Sequence, residues 1–160
     1  MSYLMPVVNQ YDKIIGYKNR DEIQPEDIYR VSALWITNSQ KEILLAKRHH
    51  TKKNNPNKWG PAVSGTVEKN ETYKSNIIKE ANEELGLTNI KPQIGPKTFN
   101  NKKHLHFTQW YFLKLDKKLD EFKFKKDEVE EIKWITKKEL LSDIKENSEN
   151  YIDSIMSLFN

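Results

Sequence analysis

Three carboxylates on one short stretch are the residues best placed to do chemistry. Glu80, Glu83 and Glu84 lie in GTVEKNETYKSNIIKEANEELGL, residues 65–87, where the spacing predicts a helix over Glu71 to Leu85. At about 100° per residue, Glu80 and Glu84 share a stripe and Glu83 lies beside them, all within an arc of roughly 100°. Ile77, Ala81 and Leu85 form a separate apolar stripe that would pack on a sheet. Like charges at this spacing repel by a few tenths of a kcal/mol per pair. Lys79 is the nearby cation, and it points elsewhere on the wheel. A bound divalent ion would turn the repulsion into attraction, and clustered oxygen donors suit a hard ion such as Mg²⁺ or Mn²⁺. Three glutamates alone also describe an ordinary solvated helix face. The spacing of the whole segment decides between the two.

That spacing runs Gly65, five residues, Glu71, seven residues, then Lys79-Glu80-Ala81-Asn82-Glu83-Glu84-Leu85-Gly86-Leu87. It resembles the Nudix box at every specified position except one, where Lys79 stands for the usual Arg. The resemblance implies that Glu80, Glu83 and Glu84 bind metal, Mg²⁺ or Mn²⁺, with the Gly65 carbonyl as a further ligand. Glu71 is implied to be structural, holding the loop–helix junction. Lys79 keeps the charge of the Arg it replaces but loses the bidentate fork. The implied reaction is hydrolysis of a diphosphate linkage in a nucleoside diphosphate derivative or a related diphosphate. Glu83 and Glu84 are the implied catalytic carboxylates. A general base comes either from the box or from a later loop, where Asp127, Glu128, Glu130 and Glu131 stand and Glu128 is favoured.

The loop HHTKKNNPNKWG before the box is polar and basic. Lys47, Arg48, Lys52, Lys53 and Lys58 flank it, and Arg48 and Lys58 are the expected substrate-binding residues. Trp59, Phe107, Trp110 and Tyr111 could stack on a base, although aromatics at strand spacing are usually core. His49 and His50 are adjacent in that loop, and His104 and His106 share one face of a strand. With a full glutamate set present, no histidine metal site is expected. His106 is a candidate substrate contact.

YDKIIGYKNRDE, YRVSALWI, EILLAKRH and PNKWGPAVSGTV resemble the branch that contains isopentenyl-diphosphate isomerase and its hydrolase-like relatives. The isomerase needs a cysteine where Ser64 stands and histidine ligands where Thr66 and Tyr29 stand, and this chain has no cysteine. The expectation is therefore a hydrolase. The alternatives are an isomerase-like enzyme or a non-catalytic nucleotide-binding module of the same fold.

The elements that must position these residues follow from pattern and composition. The chain has 160 residues, 36% hydrophobic and 11% aromatic, which predicts one domain with a real core. Strands are predicted at Tyr11–Tyr17, Tyr29–Thr37, Ile43–Lys47, Lys103–Asp116 and Glu128–Ile135, with an extended stretch at Trp59–Val67. Tyr29–Thr37 and Ile43–Lys47 read as a hairpin. Thr136 and Glu139 form a capping box that opens a helix to about Lys145, and Ser148–Phe159 reads as a last amphipathic helix. The fold class is α/β (α+β), and the resemblance specifies an α/β/α sandwich with a mixed sheet between helices. Residues 1–28 are an N-terminal strand and turn extension, and 136–160 the C-terminal helices.

The formal net charge of +4 is carried mostly by lysines interspersed with acidic residues, with Arg20, Arg30 and Arg48 the three arginines. That balance describes a solvated surface and argues against a nucleic-acid groove. The start shows no secretory signal, no apolar run spans a bilayer, and the lack of cysteine fits a reducing cytoplasm. The expected partner is a small nucleotide or diphosphate, with no membrane. Homodimers are common in such families.

Overall fold

The computed structural model describes residues 3–159; Met1, Ser2 and Asn160, at the ends of the expected 1–160 domain, lie outside the described residues. The centre of the fold is β3 (Ile28–Thr37), whose β-branched and aromatic residues suit a strand buried on both faces. It runs parallel to β8 (Leu105–Lys114) from Ile28↔Leu105 to Thr37↔Lys114. On its other side it pairs antiparallel with β6 (Val63–Thr66), setting Gly65 opposite Ser32. β7 (Gln93–Asn100) extends the sheet beyond β8. β4 (Glu42–Arg48) pairs antiparallel with β5 (Trp59–Pro61) and β9 (Val129–Thr136).

The expected hairpin between β3 and β4 is confined to its turn. Thr37↔Ile43 is the registered pair, because β3 is then claimed by β6 and β8 and β4 by β5 and β9.

Period-two alternation gives the sheet two apolar faces. Leu34 and Ile36 of β3 and Leu44 and Ala46 of β4 face α1 (Tyr73–Leu85), where Ile77, Ala81 and Leu85 are fully buried. Each buried Ile or Leu contributes about 1.5–3 kcal/mol. Ala33, Trp35, Ile43 and Leu45 face Leu140 and Ile144 of α2 (Lys137–Glu146) and Ile155 of α3 (Asp153–Ser157). Helices therefore cover both faces of a mixed sheet, the sandwich expected from the sequence. Trp110 and Tyr111 sit in these cores, so they pack rather than stack on a ligand. Trp110 Nε1 donates to Thr98 Oγ1 at 3.0 Å. Phe107 pairs with Phe99 across β7 and β8.

Three elements differ from the sequence expectation. β1 (Leu4–Val8) precedes β2 (Ile14–Asn19) in an N-terminal hairpin that meets β3 at Val8↔Ile28. β7 was not expected, since Gly95, Pro96 and Lys97 interrupt its pattern. It is an edge strand with a register shift between Ile94 and Lys97, where Pro is tolerated. The last helix does not run from Ser148 to Phe159. Tyr151 breaks it, lying buried in a parallel bridge with Trp59, and helix resumes at Asp153–Ser157.

Asp12, in the turn of the N-terminal hairpin, has φ 60°, a conformation Asp tolerates better than most residues. Its carboxylate accepts from Arg30 Nε at 2.7 Å, Lys97 Nζ at 2.6 Å and Tyr73 Oη at 2.9 Å. These partners hold the Asp12 carboxyl below its ordinary range despite burial. One side chain thus joins the hairpin to β3, β7 and the first residue of α1.

Candidate active site

The box loop and α1 are fixed by polar contacts before any ligand is considered. Thr72 caps the helix, its Oγ1 accepting from Ser75 N at 3.0 Å while Ser75 Oγ accepts from Thr72 N at 2.9 Å. The helix therefore begins at Tyr73, not Glu71, and Gly86 ends it with φ 67°. Glu71 is thereby freed for another task. Its Oε2 accepts from Glu68 N and from Asn76 Nδ2, each at 2.9 Å. Lys79 Nζ lies 2.5 Å from Glu71 Oε1, 3.5 Å from Glu68 and 3.8 Å from Glu80. Lys79, read from the helical wheel as pointing away, folds back over the loop as a point charge shared by three carboxylates. Asn76 is fully buried; its Nδ2 also donates to Thr66 O at 3.0 Å, and its Oδ1 accepts from Ser32 Oγ.

Gly65 sits against the Glu80 side chain. A Cβ there would lie 2.8 Å from Glu80 Cδ and 3.0 Å from Asn76 Oδ1. β6 thus needs glycine at this position for closeness of approach, and the Gly65 backbone lies beside the first box carboxylate.

The electrostatics record the crowding. Burial pushes the Glu80 carboxyl up to about 7, with Lys79 opposing and Glu83 adding to the rise. Burial pushes Glu84 up to about 8, reinforced by Glu80 and Glu128 and opposed by Arg48 and Lys52. Glu83 is exposed. Glu84 lines a cleft with Arg48, Ser64, Glu128, Pro61 and Val129. Arg48 Nε donates to Asn54 O at 2.8 Å, which ties the loop 49–58 to the end of β4. Glu128 forms an ion pair with Lys52 across the mouth. The structure thus brings together Gly65, Glu80, Glu84, Arg48 and Glu128. Lys58 offers its carbonyl to Arg48 N at 2.9 Å, and its side chain does not line the cleft.

Arg20 was not singled out from sequence. It lies at the end of β2, and its Nη2 donates to Thr66 Oγ1 at 2.9 Å, beside Gly65. Its charge reaches Arg48 and Tyr29. No local pattern could have found it, because its partner is 46 residues away. His106 is buried, with Nε2 3.0 Å from Asn100 Nδ2 and its ring 5.3 Å from that of Tyr29. Burial holds it neutral, at about 4.

A NUDIX domain family model matches residues 28–155. The chain belongs to the Nudix hydrolase family. It is 27% identical over 120 residues to the uncharacterized Nudix hydrolase lin0387 of Listeria innocua, covering 75% of this chain and 70% of that protein. It is 37% identical over 82 residues to a prenyl-diphosphate phosphatase of Methanosarcina mazei, covering 51% of this chain and 48% of that one. The crystal structure of DR0079 from Deinococcus radiodurans superposes with a TM-score of 0.83 over 96% of this chain and 95% of that one, at 23% identity, a likeness of fold. Divalent metal ions are in general use among Nudix hydrolases, and half-buried oxygen donors crowded to raised proton affinity fit such an ion. Among the described residues of this Nudix hydrolase no helix is long and apolar enough to cross a membrane.

Proposed function

We propose that this Nudix hydrolase cleaves the diphosphate linkage of a nucleoside diphosphate derivative or related diphosphate, using Mg²⁺ or Mn²⁺. The observation that carries the reading is Glu84 in the cleft, with Glu80 and Glu128 close enough to raise its proton affinity and Arg48 close enough to oppose them. Glu80, Glu83, Glu84 and the Gly65 carbonyl would hold the ion. When bound, the ion offsets charge on the phosphate oxygens and lowers the pKa of the attacking water. Arg48 is half-buried at the cleft wall and binds a phosphate oxygen through charge-assisted hydrogen bonds. Arg20, bonded to Thr66 and near enough for its charge to be felt at Arg48, neutralises a second phosphate. Lys58 serves the loop through its backbone and, as a charge, draws the anion toward the mouth. Glu128 accepts the proton of the attacking water, once Lys52 is drawn off by the incoming phosphate.

The test is phosphate release from a panel of nucleoside diphosphate derivatives with and without Mg²⁺, repeated on Glu84→Gln. Turnover that needs no metal, or that survives in the variant, overturns the reading.

A second substrate reading has its own support. Ala46, Pro61, Ala62, Val129 and Ile152 give the cleft an apolar wall, and the similar Methanosarcina mazei protein is a prenyl-diphosphate phosphatase. Adding isoprenoid diphosphates to the panel separates the two.

A further inference from the structure

The rim of the cleft carries a second constellation that the hydrolase reading does not use. β4 ends at Arg48 and delivers His49 and His50 to the surface, with His49 N donating to Glu128 O at 3.1 Å. β9 faces them with an irregularity. Lys47 pairs with Glu131 and Arg48 with Val129, so Glu130 is the residue skipped by the ladder. A bulge of this kind re-aims a side chain. Here Glu130 is turned onto the two histidines.

The ligand atoms converge. Glu130 Oε2 lies 3.0 Å from His50 Nδ1 and 3.5 Å from His49 Nε2, and the three fall within 4.8 Å of one another. A tetrahedral Zn²⁺ with ligands at about 2.0–2.1 Å holds them about 3.3 Å apart. The observed separations straddle that edge before any ion draws the groups in. The two imidazoles stack, with centroids 4.1 Å apart. Side-chain exposure of 18% for His49, 59% for His50 and 37% for Glu130 leaves the fourth position open to water.

We propose that His49, His50 and Glu130 bind a borderline divalent transition ion of the Zn²⁺ class at the rim of the cleft, separate from the glutamates of α1. Two imidazoles and one carboxylate suit such an ion better than Mg²⁺. Binding displaces the proton shared by His50 Nδ1 and Glu130. It also moves the His49 proton to Nδ1, where Thr51 Oγ1 stands ready at 2.7 Å to accept it, in place of the Thr51 N–H now donated to Nδ1 at 3.2 Å. The ion then staples the start of the 49–58 loop to β9, beside Arg48 and Glu128.

The experiment is calorimetric titration of Zn²⁺ into the full chain saturated with Mg²⁺, with the histidine ring nitrogens followed by NMR. One equivalent is expected to bind, moving the His49 and His50 nitrogen signals. His50→Ala and Glu130→Gln, both at exposed positions, each weaken it roughly tenfold or more. Glu84→Gln leaves it intact. No uptake in the Mg²⁺-saturated protein overturns the proposal. So does uptake lost in Glu84→Gln but kept in His50→Ala, and that outcome would leave the hydrolase reading standing.

Discussion

Gly65 and Glu80 are packed so closely that no Cβ fits between them. The contact joins β6 to the helix that carries the box carboxylates. Gly65→Ala is expected to push the Glu80 side chain aside, because the backbone of Gly65 is held in the β3–β6 ladder and cannot yield. Displacement of about 1 Å at such a group costs about 10²-fold in turnover. Overpacking costs about 1–3 kcal/mol, or some 2–4 °C of melting temperature per kcal/mol. A kinetic and thermal comparison with the parent checks both. Unchanged turnover would show that Glu80 need not stay where it is.

Glu84 makes the metal-free protein sensitive to alkali. Its folded carboxyl titrates at about 8, against an ordinary 4.5, so the folded state holds the proton more tightly than the unfolded one. The Glu84 contribution is complete below 4.5 and is lost as pH rises toward 8, an amount of several kcal/mol at about 1.4 kcal/mol per unit. Glu84→Gln is expected to flatten that fall while abolishing turnover, and Mg²⁺ should restore the parent at pH 8. Urea unfolding at pH 5, 7 and 8.5, with and without Mg²⁺, reads all three.

His106 acts in the opposite direction. Burial lowers it to about 4 from 6.5, so the unfolded state takes the proton first. Its contribution is complete above 6.5 and is lost as pH falls toward 4, a change of about 3 kcal/mol. His106→Gln should be less acid-labile than the parent over that interval. Chemical denaturation between pH 4 and 7 measures the difference, and parallel curves for the two proteins would reject it.

Arg48 and Arg20 are expected to act on substrate binding. Replacing either by Met removes a charged hydrogen bond worth about 1.5–3 kcal/mol, which is roughly a ten- to hundredfold rise in KM for the diphosphate substrate. Arg20→Met leaves the metal ligands in place, so Mg²⁺ affinity should hold. An unaltered KM in Arg20→Met would confine that residue to its bond with Thr66.

Much of this site could be read from spacing. A helix with three carboxylates on one edge and an apolar stripe beside it needs only the 3.6-residue period, and the residues of β3, β8 and β9 declare themselves by type and alternation. The rest depends on tertiary contacts. Lys79 turned back because Glu71 and Glu68 lie where the loop returns, which no helical wheel represents. β7 is hidden by its Gly and Pro and by largely exposed faces. Arg20 and Glu130 reach their partners through a hairpin and a bulge, features of pairing between distant strands. Tyr151 breaks a stretch of good helix because Trp59 offers it a bridge.

The Asp12 network gives the N-terminal hairpin more weight than its place outside the family match would suggest. A shortened chain starting at residue 28 would keep the whole matched segment, yet it would strand Arg30 without its carboxylate, leave the Tyr73 hydroxyl without an acceptor, and discard Arg20. Such a shortened chain is therefore expected to be less stable than one that begins at the first strand, earlier than the border that similarity alone would draw.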